Sequence, residues 1–283
     1  MKLSPKAVSN IVSRALREDI GEGDLTSRIL PNNSSVDAKI VAKQKTLLCG
    51  TPVIREVFSR KGCSLTLLAK EGDLVRAGTA VARIRGRVRD LLAAERVALN
   101  FLQHMSGIAT LTAEYVKKAG SARIYDTRKT LPGLRSLQKY AVKCGGGWNH
   151  RMGLYDQVLI KDNHLEILRR GELSERLSQM PRPIEIEAAT EKQALSFATL
   201  PVDIILLDNF SPPRLRKLVR DIRKINANVI LEASGGVNLK TVRAIGCSGV
   251  DRIRTRKRNR YFKFTETNWI YYFGSRLCQY WFL

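Results

Sequence analysis

The chain has 283 residues, 44% of them hydrophobic and 27% charged, and a formal net charge of +23 at neutral pH. That length buries a sizeable core in one or two domains, and the absence of any run of 18 or more uncharged apolar residues excludes a membrane-spanning helix and reads as a soluble, globular chain. The five cysteines are odd in number and form no CxxC pair, which excludes a disulfide framework or a zinc knuckle and reads as reduced thiols.

Ser4-Pro5 is an N-cap and first-turn pair, and Val8, Ile11, Val12, Ala15 and Leu16 recur at helical spacing until Gly21, so a first helix is expected. The opening segment MKLSPKAVSN lacks an apolar signal core, and a cytoplasmic location is the expectation that follows. Turn-rich GEGDLTSRILP leads to three strand-like runs, AKIVAK, SLTLLAK and AVARIRG, which predict an antiparallel sheet. From Arg89 a long helical pattern carries Leu91, Leu92, Ala94, Leu99 and Leu102 on one face, and Ser106-Gly107 is expected to break it before a second helix through Tyr115 and Lys118. After Arg123 the rhythm changes to RIYD, QVLIK, PIEIEA, DIILLD, NVILEA and VDRI, spaced by helical stretches, which predicts parallel βα units closing toward a barrel.

The densest chemistry lies between Arg123 and His164, RIYDTRKTLPGLRSLQKYAVKCGGGWNHRMGLYDQVLIKDNH. Arg128, Lys129, His150, Arg151 and Lys161 cluster there, mixing planar guanidinium forks with compact ammonium charges, the combination that binds a small, multiply charged anion. DTRK and KDNH follow short apolar runs directly, as catalytic groups do at the C-terminal ends of parallel strands. Glu187, Asp208 and Ser234-Gly235-Gly236 close later runs in the same way, so five strands are expected to deliver polar groups to one rim. Glu187 and Asp208 suit a magnesium ion, which favours one or two carboxylates and completes its shell with substrate oxygens and water. Ser234-Gly235-Gly236, expected to open a helix, would offer a hydroxyl and backbone N–H groups to a phosphate. Cys144, beside the glycine run, reads as structural.

DTRKT, GGG-x-NHR and LIKDNH are long, specific strings that resemble the quinolinate phosphoribosyltransferases (nicotinate-nucleotide pyrophosphorylase, carboxylating), from about Ser4 through Asp251. The resemblance implies a type II phosphoribosyltransferase fold of class α/β: an N-terminal α+β, sandwich-like domain over residues 1–115 and an incomplete-looking parallel α/β barrel over 116–253. It implies phosphoribosyl transfer from phosphoribosyl pyrophosphate to quinolinate with decarboxylation, giving nicotinate mononucleotide, CO2 and pyrophosphate in NAD biosynthesis, with Mg2+ as cofactor. By the same resemblance Arg128 and Arg151 would fork the acceptor's carboxylates, His150 would shape the floor, and Lys129 and Lys161 would serve carboxylate and phosphate. Lys129, Lys161, Glu187 and Asp208 would be the catalytic set. Arg96, by itself a solvated helix charge, sits in AERVALNFLQHMSGIAT, which resembles the segment whose arginine reaches the partner subunit's pocket, so a homodimer or higher oligomer is implied.

Beyond Asp251 the expected glycine-containing loop is replaced by RIRTRKRNRYFKFTETNWIYYFGSRLCQYWFL. Residues 252–283 carry eight Lys and Arg against Glu266, contributing +7 and leaving +16 on the body. A shifted reading frame near Arg254 would give such a tail, expected to be poorly ordered from 254 to 283. A basic run with aromatics would alternatively suit a nucleic acid, making a nucleic-acid-binding protein the competing reading, alongside a same-fold transferase with another acceptor.

Overall fold

The computed structural model describes residues 3–31, 34–167 and 172–255, together with the backbone of 269–273. Two compact units divide them: residues 3–111, 131–145 and 269–273 in the first, and residues 112–130 and 146–255 in the second.

The first unit opens with α1 (Pro5–Ile20), whose Val8, Ile11, Val12 and Leu16 are buried and which ends at Gly21 with φ +52°. β1 (Ser35–Ala42), β2 (Thr46–Leu47), α2 (Thr51–Arg60), β3 (Ser64–Leu67), β4 (Leu74–Val75) and β5 (Ala80–Arg87) follow. The expected antiparallel sheet is present, with β5 between β1 and β3, while β2 and β4 form a separate two-stranded ribbon. α3 runs without interruption from Val88 to Lys118, so the expected break at Ser106-Gly107 does not occur. The Ser106 hydroxyl is buried and engaged at Cys49, accepting its N–H at 3.0 Å and donating to its carbonyl at 3.1 Å. A residue that reads as a helix breaker in sequence therefore serves as a tertiary hydrogen-bonding point.

The division of the chain also differs from a single boundary at residue 115. α4 (Arg135–Cys144) belongs with the first unit, because Leu137 and Ala141, four apart on one helical face, join the core made by α1, α2, α3 and the sheet together with the adjacent Val142. Gln138 ties it in further: its side-chain carbonyl accepts the Leu131 N–H at 3.1 Å, and its amide donates to His104 Nε2 at 2.9 Å. His104, a helix-face residue with no role in the sequence reading, is thus a buried acceptor, and burial lowers its pKa.

The second unit is a six-stranded, wholly parallel sheet. Its strands are β6 (Arg123–Tyr125), β7 (Val158–Ile160), β8 (Ile184–Ala188), β9 (Ile204–Asp208), β10 (Ile230–Ser234) and β11 (Arg252–Arg254), ordered β6-β11-β10-β9-β8-β7. α5 (Asp162–Ile167), α6 (Leu173–Ser178), α7 (Glu191–Phe197), α8 (Pro212–Ile225) and α9 (Val242–Gly246) alternate with them, as the sequence rhythm predicts. β9 has four fully buried residues in succession, the apolar run expected of a strand covered on both faces. In α8, Leu215, Leu218, Val219 and Ile222 make the buried stripe behind a Pro first turn.

The tail differs from the expectation of disorder in one segment. Trp269–Phe273 forms β12, pairing antiparallel with the outer edge of β1 from Ala42↔Trp269 to Ala38↔Phe273. Aromatic and β-branched residues favour this conformation, and an open edge accepts any strand through its backbone groups alone. Arg254, where a frame shift was expected to begin, is the last residue of β11, paired with β10 and β6. The remainder of the basic and aromatic tail, including the position of the expected phosphate loop, lies outside the described residues.

Candidate active site

Asp126, immediately after β6, organises one side of the site. Its carboxylate accepts the His150 N–H at 2.8 Å and the Asn149 side-chain amide at 2.6 Å. The Trp148 N–H donates to the Ile124 carbonyl at 2.7 Å, and the Asp126 N–H to the Trp148 carbonyl at 3.1 Å. The segment Trp148–His150 therefore lies parallel to β6 like a further short strand, bridged at Tyr125↔Trp148. Tyr125 and Trp148 stack at 6.3 Å, with Arg123 over the indole at 4.6 Å and Arg252 over the phenol ring at 4.7 Å.

Beneath this segment lies a buried charge network. His150 Nδ1 accepts the Arg151 N–H at 2.8 Å, so the ring proton resides on Nε2, which donates to Glu185 Oε2 at 2.7 Å. Gln157 donates to the same oxygen at 3.0 Å. Arg254 spans two carboxylates, with Nη1 3.5 Å from Glu185 and Nε 3.4 Å from Glu232. Burial pushes the Glu185 carboxyl up, but the hydrogen bond from His150 and the charges of Arg254 and Arg252 prevail and hold it below its ordinary value. For Glu232 burial wins, reinforced by Glu185, and its pKa is pushed up to about 7. Neither Glu232 oxygen has a hydrogen-bond partner. His150, Glu185 and Glu232 bring donor atoms within 4.8 Å of one another, a set that could hold a metal ion, yet Arg254 already supplies the cation between the two acids.

The rim groups expected from sequence lie in the same unit, with Glu187 and Glu232 both level with Leu206 in the sheet register. Lys161 donates to Glu187 at 3.0 Å. In the sheet register Glu187 is level with Leu206, and Asp208 lies two residues further along β9 on the same face. Asp208 Oδ2 accepts the Asn209 amide at 2.6 Å, while its buried Oδ1 has no partner. Ser234 is level with Asp208 and buried. Gly235 and Gly236 follow with φ of +83° and +59°, and a Cβ on Gly235 would overlap the Asn209 side-chain oxygen.

These positive φ values rule out the expected helix opening at Ser234-Gly235-Gly236, since right-handed helix needs negative φ; α9 begins only at Val242. The glycines instead form a left-handed turn.

Arg128 is half-buried, with its Nε lacking a hydrogen-bond partner. Arg151 donates to the Gln157 carbonyl at 2.9 Å, and burial, with repulsion from Arg128 and Arg254, lowers its pKa despite Glu185 and Asp156. Lys129 is exposed, its backbone N–H bound to Thr127 Oγ1 at 3.0 Å. Arg96 is the exception to the grouping: it lies half-buried on the part of α3 that belongs to the first unit. Glu185, Glu232 and Arg254 were not among the expected site residues, whereas Asp126 opens the DTRK string expected at a strand end. A signal existed for two of them, because IEIEA puts Glu185 on the same face as Glu187, and Glu232 interrupts an apolar strand where a charge needs a reason.

Guanidinium groups that repel one another, an orphaned buried donor and acids at the strand ends of a parallel sheet mark an α/β domain with a densely charged candidate site of the enzyme type. The comparisons make the assignment specific. Residues 24–106 match the quinolinate phosphoribosyl transferase N-terminal domain, and residues 108–262 the C-terminal domain, so the match runs past Asp251, where the resemblance was expected to stop. A probable nicotinate-nucleotide pyrophosphorylase [carboxylating] of Bacillus subtilis is 39% identical over 254 residues, covering 87% of each chain. The solved nicotinate-nucleotide pyrophosphorylase of Francisella tularensis superposes with a TM-score of 0.88 at 33% identity, over 96% of this chain and 98% of that one. NadC of Streptococcus pyogenes gives 0.85 at 33% identity, over 92% and 94%. The chain belongs to the quinolinate phosphoribosyltransferase family.

Proposed function

We propose that this chain transfers the phosphoribosyl group of phosphoribosyl pyrophosphate to the ring nitrogen of quinolinate, with loss of the adjacent carboxylate as CO2, yielding nicotinate mononucleotide and pyrophosphate. The observation that carries the reading is that Arg128 Nε is buried without a hydrogen-bond partner, while burial and then repulsion from Arg128 and Arg254 lower the pKa of the neighbouring Arg151. Such mutual repulsion is relieved by a bound dianion, and two guanidinium forks match two neighbouring carboxylates.

Breaking the anomeric bond builds positive charge on the ribose while pyrophosphate departs, so the protein's work is to hold both partners in line and exclude water. Ser234, Gly235 and Gly236 supply a hydroxyl and left-handed-turn amides to a phosphate. Lys161, paired with Glu187, supplies positive charge at the sugar and pyrophosphate end. Glu187 and the unpartnered Asp208 Oδ1 also fit a hard divalent cation such as Mg2+, a donor set of two carboxylates on adjacent strands that leaves room for substrate oxygens and water. When bound, that ion neutralises pyrophosphate charge. Once the ring nitrogen carries the ribosyl group it is cationic and stabilises the carbanion left by decarboxylation, so no nucleophilic side chain is required.

In this reading Lys129 serves the phosphate end from its exposed position, and Arg96 completes the acceptor site of a partner subunit in a homodimer. We place the reaction in the cytoplasm, where its charged substrates would be made and used without crossing a membrane; among the described residues no helix is long and apolar enough to cross one. Incubating the chain with quinolinate, phosphoribosyl pyrophosphate and Mg2+ tests the activity, and sedimentation of the chain tests the dimer. Lys161→Ala is expected to abolish turnover; a normal rate in that variant would remove the site assignment.

A further inference from the structure

A second cluster of reactive side chains lies wholly within the first unit, apart from every residue used above. Cys49 at the start of α2, Glu71 before β4, and Cys144 at the end of α4 bring their sulfur and carboxylate atoms within 4.8 Å of one another. Cys49 is fully buried and Cys144 partly exposed. The two cysteines also differ in their backbone setting. Ser106 clamps the backbone of Cys49 on both sides, whereas Cys144 is the last residue of its helix and is followed by three glycines. The backbone of Cys49 is thus held, while Cys144 donates to Glu71 Oε1 at 4.0 Å, and a disulfide requires the two sulfurs to close to a bond length of about 2.05 Å.

We propose that Cys49 and Cys144 form a redox-active dithiol, with Cys144 as the thiol that meets an oxidant and Cys49 as the resolving thiol. The surroundings set the roles. A hydrogen bond from the Cys49 thiol, followed by one from the Tyr140 hydroxyl, lowers the Cys144 pKa against the effects of burial and Glu71. The Cys49 thiol is pushed up by its bond to Cys144, by burial and by Glu71. A thiol of lowered pKa in partial contact with solvent, backed by a second thiol of raised pKa, is the arrangement that distinguishes a sensing pair from inert core cysteines.

With hydrogen peroxide as oxidant the steps balance. The Cys144 thiolate attacks one peroxide oxygen, the O–O bond breaks, and hydroxide leaves as water after protonation, giving a sulfenic acid. Cys49 then loses its proton and attacks the sulfenic sulfur, forming the S–S bond and expelling a second hydroxide. Two thiols lose two electrons, and one peroxide becomes two waters. A resident metal is a poorer use of the same atoms, because the Glu71 carboxylate is already occupied as a helix cap. It accepts the Gly50 N–H at 2.8 Å on one oxygen, and the Thr51 N–H at 2.8 Å and hydroxyl at 2.5 Å on the other.

The test treats the full chain with hydrogen peroxide, alkylates it under denaturing conditions and maps its peptides by mass spectrometry. The expected result is a Cys49–Cys144 linked peptide, a fall in titratable thiols from five to three, and recovery with dithiothreitol. In Cys49→Ser, Cys144 should accumulate as a sulfenic acid trapped by dimedone. Mapping the unsubstituted chain keeps the question answerable if that variant fails to fold. Free alkylation of both cysteines after peroxide, linkage to Cys63 or Cys247 instead, or a stoichiometric bound metal that shields the thiols would each overturn the proposal.

Discussion

Replacing Glu232 with Gln isolates the most unusual group in the sheet interior. Both Glu232 oxygens lack hydrogen-bond partners, and the residue is buried beside Glu185, with Arg254 Nε 3.4 Å away as its nearest compensation. Its pKa is raised from 4.5 to about 7. The folded chain therefore keeps a proton that the unfolded chain releases. Stability from this proton is fully present below pH 4.5 and is lost as the pH rises to about 7. At about 1.4 kcal/mol per tenfold change in acidity the loss is about 3 kcal/mol, a large part of the 5 to 15 typical of a folded chain. Gln has nearly the same shape and never ionises. Urea unfolding of both proteins at pH 5, 6, 7 and 8 should show near-equal stability at the acid end and the variant ahead by about 3 kcal/mol at pH 8. A gap that stays constant with pH, or a variant less stable at pH 8, would refute the reasoning.

Further outcomes follow from the same geometry. Arg128→Lys keeps the charge but loses the fork, and steady-state kinetics should show kcat/KM for the acceptor falling roughly 10- to 100-fold, whereas a wild-type value would mean that Arg128 does not bind a carboxylate. Gly235→Ala forces a Cβ into Asn209 at a φ of +83°; a cost of about 1 to 2 kcal/mol for the left-handed backbone alone should lower the melting temperature and raise KM for the phosphoribosyl donor, and unchanged values of both would contradict the assigned turn. Asp126→Ala removes the anchor of Asn149 and His150. It should cost about 1 to 3 kcal/mol in chemical unfolding and weaken acceptor binding, because Arg151 hangs from the same segment.

Much of the second unit was legible because its signals are local. Each of the six expected apolar runs is a strand, and the polar groups after them lie where parallel strands deliver them. Two failures came from tertiary context. Ser106-Gly107 carries breaker residues, but hydrogen bonding to a residue 57 positions away keeps the helix whole. α4 lies inside the sequence of the catalytic strings yet packs in the other unit's core, which no local pattern announces. Ser234-Gly235-Gly236 follows the end of its strand as expected but takes a left-handed turn in place of the expected helix start. The buried acids were the hardest to see. An isolated Glu in an apolar strand has no meaning until its counter-ion is known, and that counter-ion, Arg254, sits at the edge of the tail that looked least like the rest of the chain.

The most direct test follows release of labelled CO2 from carboxyl-labelled quinolinate in the presence of phosphoribosyl pyrophosphate and Mg2+, with nicotinate mononucleotide measured in parallel. The expected result is equimolar CO2 and nucleotide, dependent on both substrates and absent in Lys161→Ala. No labelled CO2 from the folded wild-type chain, or release that continues without phosphoribosyl pyrophosphate, would contradict the proposed reaction.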